Sequence, residues 1–278
     1  MSEWGGQQHQ GSKKRKRRSK KDEEQPLEPP RLPEPSESKA QRVLYVACEG
    51  ESTEPDYLIY LNKRFGDGSY GVPQRFMIHP VKKENGYIPS KAVAAVREKA
   101  AEGYETWALF DRDDHHDIPQ ALREAAEDST EVCYSHPSFD LWLLLHFQQF
   151  SGRQGKSSDN VQEKLRKAHP SFKRFDKSGG GKGLDESRRR ALEGKVGAAI
   201  GHAKGLVTQC EHGSCKANQR AAKPVDRDDP GNPDHLPQST RKWSARSGHA
   251  LDCEVLKRDP STDVWRLLES LGITADDD

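Results

Sequence analysis

With 278 residues, 32% of them apolar and 32% charged, and a mean hydropathy of −1.00, the chain is too polar for its whole length to pack round one core. Part of it is therefore expected to be disordered. No apolar run is long enough to span a bilayer, and the N-terminus is polar and then basic, so a cytoplasmic protein with five reduced cysteines is expected rather than a membrane-embedded one. The net charge of +1 hides an asymmetry: residues 40–150 hold 11 basic and 18 acidic side chains, residues 151–200 hold 13 and 6, and such a pattern suits a metal site beside a phosphate-binding surface.

Residues 1–39 read as a disordered arm. Eight of the nine residues Lys13–Lys21 are basic, and Pro26, Pro29, Pro30, Pro33 and Pro35 follow, a composition that either grips a nucleic-acid backbone or merely keeps the chain soluble. From Arg42 onward strands and helices alternate. Val43–Cys48 is nearly all apolar, as in a strand buried on both faces. Pro55 fits a first helical turn, and Tyr57, Leu58, Leu61 and Phe65 supply that helix's stripe. Arg75–Val81 is predicted as a second strand, Ser90 as the cap of a helix carrying Val93, Val96 and Ala100, and Thr106–Phe110 as a third strand. Asp117 and Pro119 open a helix with Leu122 and Ala126; Thr130–Tyr134 is a fourth strand, and an apolar helix runs over Phe139–Phe147.

This alternation predicts an α/β fold over residues 40–150, a mostly parallel sheet with helices on both faces. Residues 151–278 read as a basic helical extension that completes the same domain. Within it, 151–183 are rich in Gly and Ser, Ser187–Lys204 form one helix, 207–250 form a polar, flexible insertion, and Thr262–Leu271 a closing helix.

In a parallel α/β sheet, ligands gather outside the carboxyl ends of the strands. Two acidic groups fall there. Glu49 follows the first strand in Glu49-Gly50-Glu51-Ser52-Thr53-Glu54-Pro55, where Gly50 permits a sharp turn and Ser52 or Thr53 can cap the next helix. Asp111 follows the third strand, and alternation sends Asp111 and Asp113 the same way, toward Glu49. Carboxylates held so close need a cation, and Mg²⁺ takes oxygen ligands while keeping positions for water and phosphate. One or two such ions, with Mn²⁺ able to substitute, would serve phosphodiester hydrolysis. Glu49, Asp111 and Asp113 are thus the predicted metal ligands. Glu54 is a further ligand, a group acting on the attacking water, or simply an acid that favours a helix N-terminus. Glu51 and Asp114 read as caps or solvated loop residues.

These residues resemble the Toprim signature, a glutamate in an E-G-x-x-T-E loop after one strand and D-x-D after a later one. Toprim domains occur in topoisomerases, primases and overcoming-lysogenization-defect nucleases, where the acids bind Mg²⁺. Ser135-His136-Pro137-Ser138-Phe139-Asp140-Leu141-Trp142, the E-G-x-x-T-E-P-x-Y opening and the Asp259-Pro260-Ser261-Thr262 ending together make the chain similar to the RloB-like family from about Val43 to Leu271. The resemblance implies a bacterial phage-defence role in abortive infection, beside an AAA-type ATPase partner. Two positions depart from the family pattern: His136 stands for the usual Asn and Asp140 for the usual Glu.

Other constellations are weaker. Gly155-Lys156-Ser157 is no P-loop, because Phe150 stands where the motif needs Gly. Cys210, His212 and Cys215, with His202, offer zinc-binding atoms at a spacing that matches no strong signature, so an incidental polar loop is the favoured reading. His146 reads as a core histidine. His115 and His116 are placed for proton transfer, yet solvent exposure is favoured for both. In the basic segment, Arg174, Lys177, Lys182, Arg188 and Arg189 are the predicted contacts to DNA or RNA backbone. The expected function is a Toprim-like, Mg²⁺-dependent nuclease; the alternatives are a non-catalytic nucleic-acid-binding or sensor subunit that regulates the ATPase, and nucleotidyl transfer.

Overall fold

The predicted strands assemble as β1 (Arg42–Cys48), β2 (Phe76–Val81), β3 (Glu105–Asp111) and β4 (Glu131–His136), all parallel, in the order β2-β1-β3-β4. The computed structural model describes residues 41–274 apart from Asp114, Lys156, 219–242 and Ala245. The predicted N-terminal arm therefore lies outside the described residues, as does the middle of the predicted insertion. A fifth strand, β5 (Ser261–Thr262), pairs antiparallel with His136 and Ser135 of β4. The closing helix, expected from Thr262, therefore starts at Val264, and two strand residues carry no alternation by which the sequence could show them.

Helices α1 (Thr53–Phe65), α2 (Pro89–Ala101) and α3 (Ile118–Glu127) make the crossovers. Side-chain alternation along the strands separates two cores. Leu44, Val46, Cys48, Trp107, Leu109 and Cys133 face the side covered by α1, α4 (Asp140–Leu145) and the C-terminal helices. Ala47, Ala108, Phe110, Val132 and Tyr134 face α2 and α3. The chain runs from β1 through α1 to β2 on one side, then back through α2 to β3 on the other. The sheet order thus reverses at β1, and a crevice opens between the carboxyl ends of β1 and β3.

Beyond α4 come α5 (Asp159–Ala168), α6 (Glu186–Leu192), α7 (Val196–Leu206), α8 (Cys215–Asn218) and α9 (Val264–Ser270). The single helix predicted over Ser187–Lys204 is broken, with Gly194 at a φ of +66° between α6 and α7, a conformation open to glycine at little cost. Ser90 does not cap α2; Ile88 holds the cap position, and the Asp117 carboxylate accepts from the Ser90 N–H at 2.9 Å. The predicted insertion is also partly ordered: after residue 242 the chain returns to bury Trp243, Ser247 and His249, and the Trp243 indole donates to the Val132 carbonyl at 3.2 Å. Among the described residues, no helix is long and apolar enough to cross a membrane.

Candidate functional site

The crevice between β1 and β3 widens into a cleft of about 510 Å³. Glu49, Glu54, Asp111, Asp113, Asp140 and Lys182 all line it. Strand register does the first positioning: Cys48 is level with Leu109, the Glu49 N–H donates to the Leu109 carbonyl at 3.0 Å, and Glu49 Oε2 accepts from the Asp111 N–H at 2.7 Å. The other oxygen, Oε1, meets His115 Nε2 at 2.9 Å. Gly86, at a φ of +72°, lies so close under the Glu49 carbonyl that a Cβ there would collide with it, and Tyr87 N–H donates to that same carbonyl.

Arg112, the middle residue of Asp111-Arg112-Asp113, is buried and braces the turn: its Nη1 donates to the carbonyls of Asp113 and His115, each at 3.0 Å. Asp113 emerges exposed from this turn, at a φ of +26°. Donor atoms of Glu49, Asp113 and His115 consequently lie within 4.8 Å of one another. The carboxyl of Asp111 lies in the same cleft and accepts from the Phe139 N–H. His115, for which exposure was favoured, is instead half-buried and joined to Glu49; His116 is exposed, as expected.

The electrostatics follow from crowding acids away from water. Burial, and then the charges of Glu49, Glu54 and Asp113, hold Asp111 well above the usual carboxylate range. Glu49 is raised by burial, with the Asp111 N–H and His115 pulling it back. Glu54 is pushed up to about 7 by burial, with Glu49 and Asp140 adding to the effect. Its Oε1 accepts from the Gly50 N–H at 3.2 Å, and the carboxyl lies so close over Gly50 that a Cβ there would push it aside. Ser138 Oγ is buried at the cleft without a hydrogen-bond partner among the described residues. The carboxylates and imidazole form a donor set that fits a divalent cation of the Mg²⁺ or Mn²⁺ type, and each acid kept charged by such an ion escapes part of its repulsion.

A family model described as RloB-like protein matches residues 44–271. The chain belongs to the RloB-like family. Comparison with curated proteins and with solved structures gave no match. In this RloB-like chain the two departing positions fare differently. Asp140 is buried in the cleft wall, raised by burial and held by Gln162 Nε2 at 2.8 Å. His136 turns away, bonded to Tyr134 and to the Gly155 carbonyl.

The basic segment divides as well. Lys182 alone of the predicted cations lines the acidic cleft, on a loop fixed to α1: Thr53 Oγ1 donates to the Lys182 carbonyl at 3.1 Å, and Asp56 accepts from the Leu184 N–H at 2.8 Å. Arg174 and Lys177 are exposed nearby in sequence, and Arg189 is half-buried, 3.9 Å from Asp56. Arg188 corrects the sequence reading. It is buried, its guanidinium donating to the carbonyls of Ser171, Gly180, Gly181 and Gly183, so it shapes the glycine-rich loop and is not presented to a phosphate.

His146 is the core histidine expected, bonded to the Trp142 carbonyl at 3.0 Å and facing Tyr57. Cys210 and Cys215 converge with His249 and Cys253, while His202 bonds the Leu145 carbonyl and His212 faces Asp252. The spacing His249-x₃-Cys253 is visible in the sequence but lies 34 residues past Cys215, too far to pair with it without the fold.

Proposed function

We propose that this RloB-like chain is a Toprim-like, Mg²⁺-dependent nuclease that hydrolyses nucleic-acid phosphodiesters in phage defence, alongside an AAA-type ATPase partner. The observation that carries the reading is the meeting of Glu49, from the end of β1, with Asp111 and Asp113, from the end of β3, in one cleft that also holds Glu54 and Lys182. The defence role and the ATPase rest on the family resemblance. When bound, a divalent cation supplies a water of lowered pKa and neutralises charge on the phosphodiester.

The chain's own residues do the rest. Glu49, Asp113 and His115 offer the donor atoms, and Asp111 fixes Glu49 through its backbone N–H. Glu54, held near neutrality, is matched to take a proton from the attacking water. The Lys182 ammonium opposes the charge of the bound phosphate; burial works against that charge, and Asp140, Asp176 and Asp111 restore it. Arg174 and Lys177 extend the cationic surface along the strand being cut.

The test is a cleavage assay on a small panel of DNA and RNA with Mg²⁺, Mn²⁺ or EDTA, with and without the ATPase. Wild type should cut in either ion and not in EDTA. Glu49→Gln should be inactive, and Glu54→Gln slowed by about 10²–10⁴-fold. Wild type and Glu49→Gln that are equally inert on every substrate, with the ATPase present, would sink the nuclease reading. Defence that survives Glu49→Gln would leave a binding or sensor subunit in its place.

A further inference from the structure

Far from the acidic cleft in sequence, three thiols and an imidazole come together. Donor atoms of Cys210, Cys215, His249 and Cys253 all lie within 4.8 Å of one another. Cys210 Sγ and Cys253 Sγ are 3.5 Å apart, and His249 Nδ1 is 3.8 Å from Cys253 Sγ. A tetrahedral zinc with Zn–S bonds of about 2.3 Å spaces its sulfurs about 3.8 Å apart, so the four atoms already stand near the corners of one coordination shell. We propose that Cys210, Cys215, His249 and Cys253 form a structural Zn²⁺ site, in a Cys-x₄-Cys…His-x₃-Cys arrangement.

Three further observations favour a metal over a plain cluster of thiols. Backbone N–H groups already point at two of the sulfurs: Ala250 N–H donates to Cys215 Sγ at 3.3 Å, and His212 N–H donates to Cys210. Such donors steady thiolates around a metal. Three thiolates and one Zn²⁺ leave a net charge of −1, and a buried cation stands beside them. Arg258 is 1% exposed, donates Nη2 to the Cys253 carbonyl at 3.1 Å, and keeps Nε and Nη1 without a hydrogen-bond partner among the described residues. Finally, the apolar cluster here has four buried members, Val207, Cys215, Ala250 and Cys253, two of which are ligands. That is too little core to hold two segments together unaided, which is the circumstance in which small folds use metal.

The chemistry selects the ion. Thiolate and imidazole donors suit zinc, whereas Mg²⁺ demands oxygen. An iron–sulfur cluster needs its cysteines spread round several atoms, and donors this close leave room for one ion. All four positions are filled by protein, so the site is closed and structural, with no place for a substrate. What it does is join the Val207–Asn218 stretch to the His249–Cys253 stretch, closing a segment of 33 residues between Cys215 and His249.

The test uses the full-length, untagged chain, its metal measured by plasma mass spectrometry and its zinc release followed with a thiol-modifying reagent. About one zinc per chain is expected, freed when the thiols are modified. Co²⁺ reconstitution of wild type should give the intense thiolate charge-transfer band of a tetrahedral site, a readout independent of whether any variant folds. Cys253→Ser and Cys210→Ser should lose most of the zinc, whereas His212→Ala and Glu49→Gln should keep it. Wild type that takes up neither zinc nor cobalt would overturn the proposal, as would iron in place of zinc or a Cys210–Cys253 disulfide in the peptide map.

Discussion

At neutral pH the Glu54 carboxyl holds its proton for much of the time, because burial first, and the charges of Glu49 and Asp140 next, lift its pKa to about 7 from an ordinary value of 4.5. A group raised on folding stabilises the fold fully below its unfolded pKa and ceases to as pH climbs through the folded one. In the absence of divalent ions this residue therefore favours the fold below about pH 4.5 and weakens it progressively between pH 4.5 and 7. Glu54→Gln keeps an oxygen for the Gly50 N–H and removes the charge. The metal-free variant should be more stable than wild type at pH 8, on the order of 1–3 kcal/mol, and the two should converge near pH 4. Melting temperatures in EDTA across that range measure it, and a variant that melts no higher than wild type at pH 8 refutes the account. His146 has the opposite sign. Burial depresses it to about 4, so its share of stability is full above pH 6.5 and falls away on acidification, and only the difference between variant and wild type isolates Glu54.

The elements most legible in the sequence are those whose side chains repeat. Val43–Cys48 and Thr106–Phe110 are apolar on both faces because helices cover both faces, and their ends carry the acids of the cleft. The D-x-D stretch was legible as a pair of acids but not as a turn, since it is the buried Arg112 that folds it and brings His115 to Glu49. Lys182 was legible as a phosphate contact but its place at the acidic cleft was not, because Thr53 and Asp56 secure its loop across more than a hundred residues. That attachment has a measurable consequence. Asp56→Ala removes the charged acceptor of the Leu184 N–H, a bond of about 1.5–3 kcal/mol, so amide exchange in the peptide over 180–186 should speed by about tenfold or more. Nuclease activity should fall with it as Lys182 loses its place. Exchange unchanged in that peptide would show that Arg188, with its donors to the carbonyls of Gly180, Gly181 and Gly183, holds the loop alone.

Across the whole molecule, the segment that returns after residue 242 is bound to the sheet by charge as well as by packing. Glu131, at the start of β4, is 2% exposed; Oε1 takes Arg246 Nη1 at 3.0 Å and Oε2 takes Arg266 Nη2 at 2.9 Å. One carboxylate thus joins β4 to α9 and to the chain beside Trp243. Arg266 is fully buried, and its Nη1 donates to the Val132 carbonyl at 2.9 Å. Exposed pairs such as Lys167–Glu163 contribute little and fade in salt. A buried pair behaves otherwise, since removing one partner strands the other charge away from water, at about 3–5 kcal/mol. Glu131→Gln keeps the shape and removes the carboxylate charge that both arginines share. Its urea midpoint should therefore drop by an amount equivalent to about 3–5 kcal/mol, a large share of the roughly 5–15 kcal/mol that holds an ordinary domain folded. Salt at about 1 M should not shrink the difference, because the ions cannot reach the pair. A loss below about 1 kcal/mol would give Glu131 no more weight than a surface pair and would leave the apolar packing of Trp243 and Trp265 to hold the C-terminal segments to the sheet.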